Sequence, residues 1–290
     1  MRSTQLVRVV SVGIGLLVCA TSAPAATTTV APGPGTPVQD AINAASPGDT
    51  ILLMAATYPE CITINKPLKL QGRSRAGQAN SIVEAPCATG AAIEIAADGV
   101  KLSWLFLRNH ADVGIDVVGR SRVTMDRIVI ASPAAGNVAP VVNVQQSTRV
   151  TLKKIHVLYF DGPIRTGPAG IRIADVLPDS RIHLKRVGVG GFDVGLLLQD
   201  IGAGALTLNG SDANGNNQGI ALLNVSGAKI SGSVLQDNVL NGITVDAAST
   251  NNVISKNRVF SASGTDVADA GVGNCWSNNQ FTTGAVPTCP

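Results

Sequence analysis

Four polar side chains, Glu94, Asp116, Asn143 and Arg172, recur 22, 27 and 29 residues apart. Each stands between two aliphatic residues: Ile93/Ile95, Ile115/Val117, Val142/Val144 and Ile171/Ile173. Alternate side chains of a strand face opposite ways, so aliphatic pairs turned inward leave the four polar groups in one outward column. Two carboxylates, an amide and a guanidinium on rungs about 4.8 Å apart can hold a polar or anionic ligand. His110, Asp112, Tyr159, Asp161 and Arg165 fall in the segments flanking this column. The next two positions of the series are Leu197 and Ala221, so the polar run is local. The plain alternative is that outward β positions are simply solvated.

A second set is cationic. Arg122, Arg149 and Arg181 share one position on three consecutive repeats, and Arg127, Lys153, Lys154, Lys185 and Arg186 follow in the next bends. Only Asp126 interrupts them. Like charges one rung apart repel, so such a row costs stability unless it is well solvated or meets an anion. A solvated bend kept for solubility is the competing explanation. The three histidines, His110, His156 and His183, do not converge on one strand or loop. The methionines are Met1, Met54 and Met125, which argues against a soft-ligand copper cluster.

The elements that hold these residues come from one eight-residue pattern. Val100–Leu107, Val123–Ile130, Val150–Val157 and Ile182–Val189 each read apolar, x, apolar, two bulky or polar residues, apolar, x, apolar. That is two short strands joined by a two-residue bend. The first apolar positions, Val100, Val123, Val150, Ile182, Leu206, Ile230 and Val253, lie 23 to 32 residues apart. A second series, Gly114-Ile115, Gly170-Ile171, Gly195-Leu196, Gly219-Ile220 and Gly242-Ile243, opens another strand per repeat, with glycine expected at a positive-φ bend. Three strands per coil at this period predict an all-β, parallel β-helix solenoid, each coil burying its apolar face on its neighbours.

Residues 1–25 read as a signal peptide: Arg2 and Arg8, an apolar run from Val9 to Ala20, and Ala23-Pro24-Ala25 before Ala26. The expected location is therefore secreted or periplasmic, with no transmembrane segment. Export leaves Cys61, Cys87, Cys275 and Cys289, and sequence proximity favours Cys61–Cys87 and Cys275–Cys289 as disulfides. Each loop closure is worth roughly 3 kcal/mol in the chain-entropy model; free buried thiols are the alternative. The exported chain keeps 20 basic against 19 acidic residues, and this near-neutral balance gives no sign of a nucleic-acid partner. With 45% hydrophobic and 3% aromatic residues, the core must be a narrow stack of Ile, Val and Leu.

Thr36-Pro37-Val38-Gln39 predicts a helix start with a capping box, and Val38, Ala41, Ile42 and Ala45 share one face. The expected organisation is an N-terminal cap with this helix over 26–48, the β-helix over 49–260 and an irregular C-terminal cap over 261–290. Long connections at 131–139 and 158–168 mark the middle coils as the elaborated part.

The stretches VQDAINAASPGDTILL (38–53) and TYPECITINKPLKLQG (57–72) resemble the N-terminal region of the pectin-lyase-like right-handed parallel β-helix proteins. The Asn-rich coils near 217–260 resemble the right-handed β-helix repeat group that includes the periplasmic NosD type. The resemblance implies a right-handed solenoid along nearly all of the exported chain. It does not fix an activity, because the superfamily holds lyases, hydrolases, esterases, epimerases and non-enzymes. The signatures of pectinesterases, polygalacturonases and alginate epimerases are missing, so the catalytic residues are unknown. In pectate-type lyases the equivalent face carries Ca²⁺-binding acids and an arginine base. That makes Glu94 and Asp116 candidate calcium ligands, with Arg172 or Arg165 neutralising a uronate. The expected function is binding of an acidic polysaccharide or envelope glycan, with lyase or epimerase chemistry on uronates as an extension. A non-catalytic envelope accessory protein, using the solenoid as a docking surface, is the alternative.

Overall fold

The computed structural model describes residues 24–73, 80–110, 112–131, 139–159, 169–261 and 263–289. Residues 1–23 of the expected leader, and Asp161 and Arg165, lie outside the described residues.

The chain winds as a parallel β-helix of about nine coils. One face is a nine-stranded parallel sheet running from Ile62–Ile64 to Thr265–Asp269. The other two faces join in a 17-stranded parallel sheet, because several strands pass unbroken around the bend between them. Lys101–Arg108, Thr124–Ala131 and Val150–Leu158 are such strands. In each, one residue turns the corner in the left-handed region: Trp104 at φ 59°, Arg127 at 55° and Lys154 at 55°. From Ile182 onward the same bend separates two strands, and Arg186 takes φ 55° there.

The core is the stacked aliphatic ladder. Ile93, Ile115, Val142, Ile171, Leu196, Ile220, Ile243 and Val267 lie in register along one face, all buried. The glycines before these strands are not at positive φ. Their cause is close approach: a Cβ on Gly195 would lie 2.7 Å from the Gly219 carbonyl oxygen, and one on Gly219 would lie 2.6 Å from that of Gly242. Positive φ falls on the bend residues instead.

The register expected for the last two coils is shifted, by two residues at Ile230 and by one at Val253. Leu208, not Leu206, pairs with Ile230, which pairs with Ile254, while Val253 faces out opposite Lys229. The inward position belongs to Ala228 and Asn252, both fully buried. Asn252 is tolerated inside because its Oδ1 accepts the Ala228 N–H (2.9 Å) while its Nδ2 donates to the Val225 carbonyl (2.9 Å) and to Asn274 Oδ1 (3.0 Å). Asn257 and Asn279 repeat the arrangement one face on.

At the N-terminal end the helix spans Pro37–Ala44 and buries Val38 and Ile42. The capping box does not form. The buried carboxylate of Glu60, one coil away, accepts the Val38 (2.9 Å) and Gln39 (2.9 Å) N–H groups in its place. Gln39 is drawn off to bridge Thr63. Both expected disulfides are present: Cys61–Cys87 beside the first coils and Cys275–Cys289 at the far end. Parallel pairing runs on through Thr265–Asp269 and Cys275–Ser277. Asp266 pins the chain on both sides, accepting the Ser261 N–H before it and the Thr282 and Thr283 N–H groups after it. Among the described residues no helix is long and apolar enough to cross a membrane.

Candidate functional site

Glu94, Asp116, Asn143 and Arg172 do form one column: Glu94 pairs with Asp116, Asp116 with Asn143, and Asn143 with Arg172. The column is bonded along its own length. Thr63 donates to Glu94 (3.3 Å), Asn143 to Asp116 (2.9 Å), and Arg172 to Asn143 (3.3 Å) and Gln199 (3.4 Å). Asn143 is only 9% exposed, so part of the run is sealed. Leu197 and Ala221 continue the position, and both pack in a small apolar cluster with Ala169 and Val194. His110 is buried and lies against Gly114 rather than opening onto the column. Calcium normally takes six to eight oxygens. Among the described residues no three His, Cys, Asp or Glu converge on one point.

The cations form a broader surface. Asp126, Lys153 and Lys185 stand on successive rungs, and each precedes a left-handed bend residue, Arg127, Lys154 and Arg186. At the opposite corner of the same face, Arg122 and Arg149 also sit at positive φ, and Arg181 follows on the next rung. Thr124, Thr151 and His183 lie between the two corners. The face is therefore three rungs deep, with cations at both edges.

Two of the eight cations are paired. Arg127 meets Asp126, and Arg122 reaches Asp98 at 3.7 Å. Asp98 also accepts the Ser121 N–H and hydroxyl, and these bonds, ahead of Arg122, hold its carboxyl below the usual range. Arg149, Lys153, Lys154, Arg181, Lys185 and Arg186 have no ion pair among the described residues.

Composition hid one feature of this region. The first bend of the series holds Trp104 where the next three hold Arg127, Lys154 and Arg186, and the Arg127 guanidinium lies 4.5 Å from the centre of the Trp104 ring. Beyond the bend, Phe106, Val129 and His156 occupy one outward column. The aromatics were visible in the VKLSWLFL copy of the repeat, at its bend and outward positions.

A family model described as periplasmic copper-binding protein (NosD) matches residues 163–286. The alginate lyase of Paenibacillus sp. str. FPU-7 superposes with a TM-score of 0.52 at 14% identity, covering 90% of this chain and 99% of that one. The polygalacturonase of Erwinia carotovora ssp. carotovora gives 0.50 at 12%, covering 93% and 97%. The chain has the parallel β-helix fold that these structures share. ORF18 of Geobacillus virus E2 shares the fold at a TM-score of 0.51 and 12% identity, this β-helix protein spanning 57% of it and 83% of itself being covered. No curated protein matches the sequence.

Copper does not fit the matched segment of this β-helix protein. Copper(I) favours thiolate and thioether ligands, and copper sites in general draw on imidazole. Residues 163–286 contain one histidine, His183, no methionine, and Cys275, which is tied up in a disulfide.

Proposed function

We propose that this β-helix protein binds an acidic polysaccharide or envelope glycan across the three-rung basic face. One observation carries the reading: six cations without an ion pair among the described residues share one face of a molecule whose exported chain is nearly neutral. Their rungs repeat at about 4.8 Å, a spacing on the scale of successive charges along a uronate polymer. Two disulfides suit an oxidising compartment, where such glycans lie. The test is retention on immobilised polygalacturonate and on a neutral glucan at low salt. Retention by the acidic polymer alone supports the reading, and equal behaviour on both contradicts it.

Lyase or epimerase chemistry on uronates is the second reading. It is favoured by Arg172 standing beside Asn143 and Asp116 in an outward column. An assay of uronate polymers for new unsaturated ends or changed epimer ratio, with and without added calcium, decides it.

A further inference from the structure

The basic face does not end at the bend. Around the corner from Arg127 and Lys154, a cleft of about 260 Å³ is lined by Asn80, Trp104, Phe106, Val129, Lys154 and His156. Leu105 and Arg127 complete it. Its floor is unusual for an outward β column. Exposed β positions are ordinarily polar, yet here Phe106 and Val129 are adjacent on successive rungs. Trp104 stands at the rim under the Arg127 guanidinium, and Lys154 takes the equivalent bend one rung on. His156 lies over Gly188, where a Cβ would come within 2.7 Å of its Nδ1, so the glycine is what lets the imidazole fold down against the sheet.

An apolar floor with cations along one edge matches a particular chemistry. A bare polyanion such as polyphosphate has charge but no apolar face. A pyranose carrying a carboxylate has both: C–H groups on one side of the ring and an acid at its rim. The volume lies below the ~300–1,000 Å³ usual for sites that enclose a drug-sized ligand, so it suits one ring rather than a folded chain. We propose that this cleft is a single-ring subsite for an acidic sugar, with the ring on Phe106 and Val129 and the carboxylate between Arg127 and Lys154. The proposal rests on the basic face being a glycan surface, and it makes the ligand one with a sugar-ring face.

The experiment compares a short oligogalacturonate with inorganic polyphosphate of similar charge, by calorimetry at low salt. Trp104 emission is followed in the parent, since the other tryptophan, Trp276, is buried at the far end. The parent should bind the oligogalacturonate at least five-fold more tightly, with a change in Trp104 emission. Phe106→Ser should erase that preference while leaving polyphosphate affinity within two-fold. Trp104→Lys, which places in this bend the residue type of Lys154, should weaken the sugar and strengthen polyphosphate. That opposite movement cannot come from misfolding, which would weaken both. Equal affinity of the parent for the two anions, or variants that move both affinities together, overturns the subsite and leaves the basic face standing. Binding of neither anion overturns both.

Discussion

Ala26 donates its backbone N–H to the Asp49 carboxylate across 2.7 Å, and Ser46 donates to the other oxygen at 2.8 Å. These bonds, Ser46 first and then Ala26, hold the Asp49 carboxyl below its usual range. The Ala26 carbonyl accepts the Thr50 N–H, and Thr27–Val30 then pairs with Thr50–Leu53. Thr27–Val30 thus follows directly on Ala26, the residue that the sequence places just after an expected leader cleavage site. With the leader removed, the same nitrogen becomes an ammonium facing a carboxylate.

Processing at the expected leader site should give a protein that begins at Ala26 by intact mass. Asp49→Asn should lower the melting temperature at neutral pH. A carboxyl depressed in the folded state stabilises above its unfolded pKa of about 3.9, and that stability is lost as pH falls through the folded value. The gap between parent and variant should close in acid. A gap unchanged at pH 2, or a mass starting elsewhere, contradicts this account.

Ile171 is fully buried between Val142 and Leu196, whereas Thr151 faces outward between Thr124 and His183. Ile171→Asp should cost at least ~3 kcal/mol by burying an unpaired charge. Thr151→Asp should stay within about 1 kcal/mol. Urea melts of the two variants check the inward and outward register, and equal destabilisation would break it.

Two glycines separate crowding from backbone freedom. Gly219→Ala brings a Cβ to 2.6 Å from the Gly242 carbonyl and from Leu235, and overpacking of this kind typically costs 1–3 kcal/mol. Gly210, at φ +58° in an open bend, has nothing nearer than 4.0 Å. Asn tolerates that conformation, so Gly210→Asn should shift the melt by less than about 0.5 kcal/mol.

Much of this architecture was legible in the sequence because a solenoid repeats its constraint. Each of Ile115, Val142, Ile171 and Leu196 reports the same inward position, and the errors of a single coil average out. The register failed in the last coils, and at one of the two positions that constraint is met by another chemistry. Asn252 takes an aliphatic position by bonding to Asn274 and two backbone groups, and no hydropathy pattern reveals a partner one coil away. Glu60 escaped for the same reason: its role as a helix cap depends on the stacking of Pro37–Ala44 over the next coil. The polar column lies on the rungs where the aliphatic alternation puts it. Its internal hydrogen bonds, which occupy Arg172 and Asn143, arise only when the rungs are stacked. Asp98 beside Arg122 is likewise a contact between coils.

The far disulfide carries a prediction of its own. Cys275 belongs to the last strand, and Trp276 bridges Thr288 next to Cys289. Removing the link in Cys275→Ser/Cys289→Ser should loosen the strap over the end coil and expose a ladder edge. Sedimentation should then show self-association, with a lower melting temperature. A monomer of unchanged stability would mean that the strap is held by its hydrogen bonds alone.

The basic face itself is tested by affinity for polygalacturonate at low ionic strength, in the parent and in Arg122→Ala/Arg149→Ala/Arg181→Ala. All three arginines are exposed, so the variant should keep its fold. The variant should bind at least ten-fold more weakly, and the parent affinity should fall steeply with salt, since exposed charges are screened over about 10 Å at 0.1 M. Equal affinity of parent and variant, insensitive to salt, would contradict a glycan-binding basic face.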